Sequence, residues 1–114
     1  MKVVETPLVD ASVITVDKYE DGRGFFMESF NEQQFVKELG DYDFVQDNHS
    51  KSSKGVLRGL HYQLEKPQGK LMRCTQGAVY DVIVDLRKSS SSFGSWFNAT
   101  LDDPATMVWV PPGF

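Results

Sequence analysis

The chain has one cysteine and five prolines in 114 residues, no apolar run near the length of a membrane span, and no excess of positive charge. Each shortage excludes something. Cys74 alone cannot close a disulfide within the chain, so stapled secreted scaffolds are out and a reducing cytoplasm is the expected compartment. A helix that crosses a bilayer needs about 20 apolar residues. The N-terminal stretch MKVVETPLVDASVITVD carries Glu5 and Asp10 and lacks the uninterrupted apolar core of a secretory signal. With 12 Lys plus Arg against 16 Asp plus Glu, the formal net charge is −4, and the basic stripe of a nucleic-acid binder is missing. A few local cations can still set the field inside one cleft, so an anionic small ligand is compatible with the acidic total. His49 and His61 are far apart in sequence and neither is spaced with Cys74 as a zinc pair would be, so no metal site is expected. Glycine-rich phosphate loops and serine nucleophile elbows are absent as well.

What is present is the composition of one globular domain spanning residues 1–114, with 40% apolar and 25% charged residues. A domain this short buries only somewhat over ~60% of its unfolded-chain surface, so its stability is expected to lean on a partner chain. Residues 13–16, 43–46, 55–63, 69–75, 78–86, 96–101 and 106–110 have the β-branched or aromatic character of short strands. Turn chemistry separates them at Asp21-Gly22, Lys66-Pro67-Gln68-Gly69, Gln76-Gly77, the serine-rich 88–92 and Asp102-Asp103-Pro104. Such spacing predicts a sandwich or small barrel. One helix is expected after Asn31, with Gln34 at the reciprocal capping position, Phe35 and Leu39 on one face and Gly40 as the stop.

Several polar residues are candidates for chemistry. On a regular strand Leu57, Gly59, His61 and Gln63 would share a face. His61 is then either a core histidine satisfied by a neighbour or one with room for a ligand beside Gly59. His49, in a polar loop, reads as solvated or turn-stabilising. Lys70 follows a Pro-Gln-Gly turn and is either an edge guard or an ammonium aimed into a cleft. Asp81 and Asp85 alternate with apolar residues, which reads as the wet face of a half-buried strand. If that face lines a cavity, Asp81 can orient a histidine. Arg23, between two glycines and beside Phe25 and Phe26, is either an exposed hairpin-turn residue or a fork for phosphate. Cys74 reads as a small buried hydrophobe.

Five ordered blocks carry a resemblance. Asp21-Gly22-Arg23-Gly24-Phe25-Phe26, Phe44-Val45-Gln46-Asp47-Asn48-His49-Ser50, Gly55-Val56-Leu57-Arg58-Gly59-Leu60-His61-Tyr62-Gln63, Gln68-Gly69-Lys70-Leu71-Met72-Arg73-Cys74 and Asp81-Val82-Ile83-Val84-Asp85-Leu86-Arg87 resemble the dTDP-4-dehydrorhamnose 3,5-epimerases, in order and at the family's spacing. The resemblance implies an all-β, cupin-like jelly roll with one short helix, in a homodimer that acts without a cofactor or metal on dTDP-4-dehydro-6-deoxy-D-glucose. It implies a dTDP-sugar as the only partner besides a second copy, with neither nucleic acid nor membrane involved. His61 matches the family's base, Lys70 the lysine at the C4 oxygen, and Asp81 an acid near the histidine. Arg58 matches a substrate-binding arginine. Arg23, Glu28, Gln46, Asp47 and Asn48 match positions that hold the nucleotide-sugar, and Phe26 a neighbouring aromatic.

The chain ends on Pro111-Pro112-Gly113-Phe114, which looks like the opening of the family's next motif. The family's donor tyrosine and the aspartate paired with the base lie downstream of that motif. Tyr19, Tyr42, Tyr62 and Tyr80 do not align with the donor. The expectation is therefore a C-terminally incomplete jelly roll, with exchange at His61 but impaired inversion. The alternatives are a nucleotide-sugar-binding or dimerisation module, or a relative that epimerises one carbon or isomerises the ketone.

Overall fold

The last strand carries apolar side chains on both faces, and the structure is organised around it. A computed structural model describes residues 1–114. The strands are β1 (Lys2–Glu5), β2 (Ser12–Thr15), β3 (Lys18–Asp21), β4 (Gly24–Met27), β5 (Lys70–Arg73), β6 (Val79–Val84), β7 (Trp96–Leu101) and β8 (Thr106–Val110), with one helix, α1 (Glu32–Leu39). The all-β class with a single short helix is the one expected. A four-stranded antiparallel sheet runs β1-β2-β8-β5, while β3-β4 and β6-β7 form two-stranded sheets.

Because β8 is central, its alternation feeds two cores. Met107 and Trp109 pack with Ile14 and Phe35 on one side. Val108 and Val110 pack on the other with Leu8, Ala11, Cys74, Ile83, Leu101 and Phe114. Ile83 and Leu101 come from the β6-β7 pair, so this second core lies between the large sheet and that hairpin.

The helix forms where expected and buries Phe35 against Trp109, the ring centroids 5.1 Å apart and nearly perpendicular. Asn31 caps it by accepting the Gln34 N–H at 3.1 Å, and Gly40 ends it at φ +103°. The reciprocal bond from Gln34 is replaced: the Asn31 carboxamide donates to Glu28 at 3.0 Å. Asn31→Ala should lower stability by about 1 kcal/mol, read from the midpoint of urea unfolding at unchanged slope.

Three expectations need correction. Residues 43–46 and 55–63 form no strand; the whole stretch between α1 and β5 lacks regular structure. Gly55 and Gly59 take φ of +83° and +115°, which breaks an extended run, and Arg58 folds the chain back by donating to Ser52 Oγ and the Lys51 carbonyl. The stretch is rich in Asp, Asn and Ser, which compete for local hydrogen bonds. The strand argument for a face shared by Leu57, Gly59, His61 and Gln63 therefore fails. Second, the Asp81–Asp85 face is not the wet one, for it also carries the buried Ile83, and Asp85 is fully buried. Third, β1, β3 and β4 are additional strands of four residues each, outside the runs that the composition marks as strands.

Asp85 is buried because its oxygens are fully occupied. Ser90 and Ser92 hydroxyls each donate to Oδ2 at 2.6 Å, and Arg87 donates from its backbone N–H, Nε and Nη2 at 2.9–3.0 Å. Arg87 also reaches Asp10 and the Val9 carbonyl at 2.8 Å and lies 4.8 Å over the Phe114 ring. The Arg87 guanidinium, with the two hydroxyls, holds the Asp85 carboxyl well below the ordinary carboxylate range. The serine run 89–92, read as a loop, is thus half of a clasp joining residues 9–10, 85–92 and 113–114.

Candidate functional site

The hairpin β3-β4 carries the first candidates. Arg23 sits in its exposed turn, where its guanidinium already pairs with Asp21 at 2.6 Å. That pairing lowers the Asp21 carboxyl and raises Arg23. The hairpin-turn reading of Arg23 is thus the observed local structure. Phe26 projects from β4 and is 73% exposed. Glu28 follows β4 and is tied to the helix cap through Asn31. The hairpin base is fixed by Lys18, whose ammonium bridges Glu20 at 3.1 Å and Asp103 at 3.2 Å and is raised by them.

A second group lies on the exposed segment before β5. Gln46 donates to Asn48 at 3.0 Å, with Asp47 between them. Arg58 is held by the loop bonds already described, and His61 follows at the surface, as does His49. The segment is anchored at its start: Tyr42 and Phe44 pack on Trp109 with ring centroids at 4.7 and 5.9 Å.

The third group lies on β5 and β6. Lys70 opens β5 opposite Val110, and Met72 stands opposite Val108. Directly paired residues share a face, so Lys70 projects on the Val108–Val110 side, toward β6-β7. Asp81 stands on the same face of its strand as Ile83, which packs into that core from the other sheet. Both residues thus lie on strand faces turned toward the core between the sheets, while the Lys70 ammonium itself stays on the exposed turn at Gln63 and Gln68. Asp81 Oδ2 is buried without a hydrogen-bond partner, and burial raises the Asp81 carboxyl above its ordinary range. A carboxyl in that condition keeps its proton more readily than an exposed one.

Gln63 is a residue that the sequence reading did not select. Its side-chain oxygen accepts the Gln68 N–H at 3.3 Å and faces the Lys70 ammonium at 3.5 Å, while Lys70 also donates to the Gln68 carbonyl at 3.2 Å. The turn that delivers Lys70 is therefore closed by a residue two places beyond His61. No sequence signal marks it, because the contact is set by the turn between Gln63 and Lys70 and not by strand alternation. Tyr62 to Lys66 and Gln68 line an open concavity beside this turn. No hydrogen bond or ion pair joins Lys70, Asp81 and His61 to one another, and the His61 segment is tied to Lys70 through Gln63. No three His, Cys, Asp or Glu side chains converge as metal ligands, and no helix is long and apolar enough to cross a membrane.

Known proteins resemble this chain along nearly all of its length. The family described as dTDP-4-dehydrorhamnose 3,5-epimerase matches residues 5–114. A protein of that name from Shigella flexneri is 52% identical over 117 aligned positions, covering all of this chain and 65% of the relative. A crystal structure of a dTDP-4-dehydrorhamnose 3,5-epimerase from Elizabethkingia anophelis NUHP1 superposes with a TM-score of 0.91 at 48% identity, covering all of this chain and 64% of that one. A dTDP-6-deoxy-D-glucose-3,5-epimerase from Legionella pneumophila Philadelphia 1, solved in complex with dTDP-4-keto-L-rhamnose, superposes with a TM-score of 0.94 at 44% identity, over 99% of this chain and 61% of that one. The chain thus spans less than two thirds of these relatives' own length.

Proposed function

The chain belongs to the dTDP-4-dehydrorhamnose 3,5-epimerase family, and on that premise we propose that the protein inverts C3 and C5 of dTDP-4-dehydro-6-deoxy-D-glucose, giving dTDP-4-dehydro-L-rhamnose for dTDP-L-rhamnose synthesis. Supporting the proposal are the positions of Lys70 on β5 and Asp81 on β6, each on the strand face turned toward the core between the sheets of a cupin-like β fold. A proton beside a ketone becomes removable when negative charge on the enolate oxygen is stabilised as it develops. A lysine ammonium fixed at the C4 oxygen does that work. His61 is the base: neutral imidazole takes the C3 or C5 proton and the C–H electrons move into the enolate; inversion then needs a proton delivered to the opposite face by the donor that the resemblance places downstream of Phe114, or by water. Asp81, with its raised carboxyl, is the acid of the site.

Arg58 and Arg23 bind the diphosphate, with Glu28, Gln46, Asp47 and Asn48 on the nucleotide-sugar and Phe26 beside it. Such remote contacts fix the sugar against His61 and are worth most when they hold reacting atoms within attack distance. Residues 1–114 act as one cupin-like domain, and the partner is a second copy of the chain. Supporting the second copy is the apolar surface left open on the His61 segment, where Leu57 is 90% and Val45 85% exposed. The unpaired Cys74 fits a cytoplasmic setting.

Steady-state conversion of dTDP-4-dehydro-6-deoxy-D-glucose tests the reading. Lys70→Met should lower kcat about 10²–10³-fold, the scale of one lost oxyanion donor, with dTDP affinity little changed. Binding of dTDP without conversion by the unaltered protein would contradict the enzymatic reading and leave a nucleotide-sugar-binding module.

A further inference from the structure

Lys70 owes its direction to the residue before it. Residues 69 and 71 fall on the opposite side of β5 from Lys70, and that side is covered by Trp109, which stands directly across from Leu71. A Cβ on Gly69 would lie 2.5 Å from Cη2 and 3.1 Å from Cζ3 of the Trp109 indole, and 3.4 Å from Cδ of Pro112. Gly69 is not in the left-handed region, unlike seven of the other glycines. Its lack of a side chain is therefore a matter of space and not of backbone conformation.

The indole cannot yield that space. Trp109 is 1% exposed, and Phe35, Tyr42 and Phe44 grip its ring at centroid distances of 5.1, 4.7 and 5.9 Å. Interiors packed at this density transmit a displacement instead of absorbing it. Any side chain at residue 69 must lift the start of β5 off the ring. Lys70 is the first residue to pair in that strand, with only the long Gln63 contact and the Gln68 carbonyl to hold its ammonium.

The geometry points to Gly69 and Trp109 as a positioning pair for Lys70: the bare backbone at residue 69 seats on the indole, and this contact sets where the Lys70 ammonium meets the substrate oxygen. The inference rests on the role proposed for Lys70, and it reaches further through the same ring. Tyr42 and Phe44, which hold the indole, lead directly into Gln46, Asp47 and Asn48. One aromatic side chain therefore references both the ammonium and the start of the nucleotide-binding segment.

Two readouts separate this contact from the role of Lys70. Amine acylation followed residue by residue requires no substrate, so it decides the contact whether or not the ketone is turned over. Gly69→Ala should change the acylation rate of Lys70 about 3-fold or more, as expected when a side chain is pushed off its rotamer, while the seven other lysines keep theirs. In turnover it should lower kcat about 10²-fold with KM little moved, the cost of misplacing a reacting group by about 1 Å. Trp109→Phe, whose ring reaches less far toward residue 69, should restore both readouts in the Gly69→Ala background. If Gly69→Ala alone does not fold, the double variant should recover a cooperative unfolding transition and a Lys70 rate like the parent's. A Gly69→Ala protein whose Lys70 acylates as the parent does, or a double variant that restores neither fold nor rate, overturns the proposal.

Discussion

Replacing His61 with alanine should lower proton exchange at C3 and C5 of the 4-keto sugar about 10²–10⁴-fold, the contribution of a positioned general base. Imidazole suits the task as the side chain that most often serves as a general base. His61 makes no hydrogen bond within the chain and lies exposed on the segment before β5. Removing it therefore breaks no core contact, and stability should stay within about 0.5 kcal/mol, as for other surface substitutions. The loss should appear in kcat, with KM and dTDP affinity nearly unmoved, because the base acts on the reacting proton and not on the nucleotide. His49→Ala, in a solvated loop of the same segment, should leave exchange unchanged. A variant pair in which both histidines cost the same would remove His61 from the role of base.

The largest effect on stability is expected at Asp85. Asp85→Ala should cost about 3 kcal/mol, because it strips the buried one of two counter-ions from Arg87 and leaves the Ser90 and Ser92 hydroxyls without their acceptor. For a domain whose total stability is about 5–15 kcal/mol, that is a large fraction. Asp10, the other carboxylate on Arg87, has a side chain 58% exposed, and Asp10→Ala should cost under about 1 kcal/mol. Urea midpoints of the two variants make the comparison. The clasp also sets a pH dependence. The Asp85 carboxyl lies below its ordinary value when folded and returns to about 3.9 when unfolded. Its stabilisation is therefore complete above about pH 5 and is lost as the pH falls through 4 toward the folded value. Asp81 works in the opposite sense: its folded carboxyl is raised by burial, so protonation of that group favours the native state. The balance should be a net loss of stability on acidification, and Asp85→Ala should flatten it.

The strands that the sequence revealed are those whose pattern matches their surroundings. Trp96–Leu101 and Thr106–Val110 lie where the apolar and β-branched runs placed them, and α1 obeys its cap and its glycine stop. Lys2–Glu5, Lys18–Asp21 and Gly24–Met27 carry little strand signal because each has only four residues, and six of the twelve together are charged or glycine; their partners specify them. Residues 55–63 erred in the other direction. Val56, Leu57, Leu60 and Tyr62 give strand-like content, yet a strand exists only where its backbone finds a ladder. Asp85 shows a third limit. Charge alternating with valine and isoleucine reads as a wet face, and only the spatial return of Ser90, Ser92 and Arg87 makes burial tolerable. Within the candidate site, Lys70 and Asp81 are local enough in register for their strands to be read, whereas the side of the fold that each faces depends on β8 lying between two cores. The roles of Gly69 and Gln63 were hidden for the same reason, since each depends on a neighbour distant in sequence or on turn geometry.

Proton NMR of dTDP-4-dehydro-6-deoxy-D-glucose in deuterated water, with the protein and with its His61→Ala variant, tests the central claim most directly. The predicted result is deuterium at C3 and C5 with the unaltered protein and retention of both protons with the variant. Retention of both protons by the unaltered protein while dTDP binds, or equal exchange by the two, would contradict it.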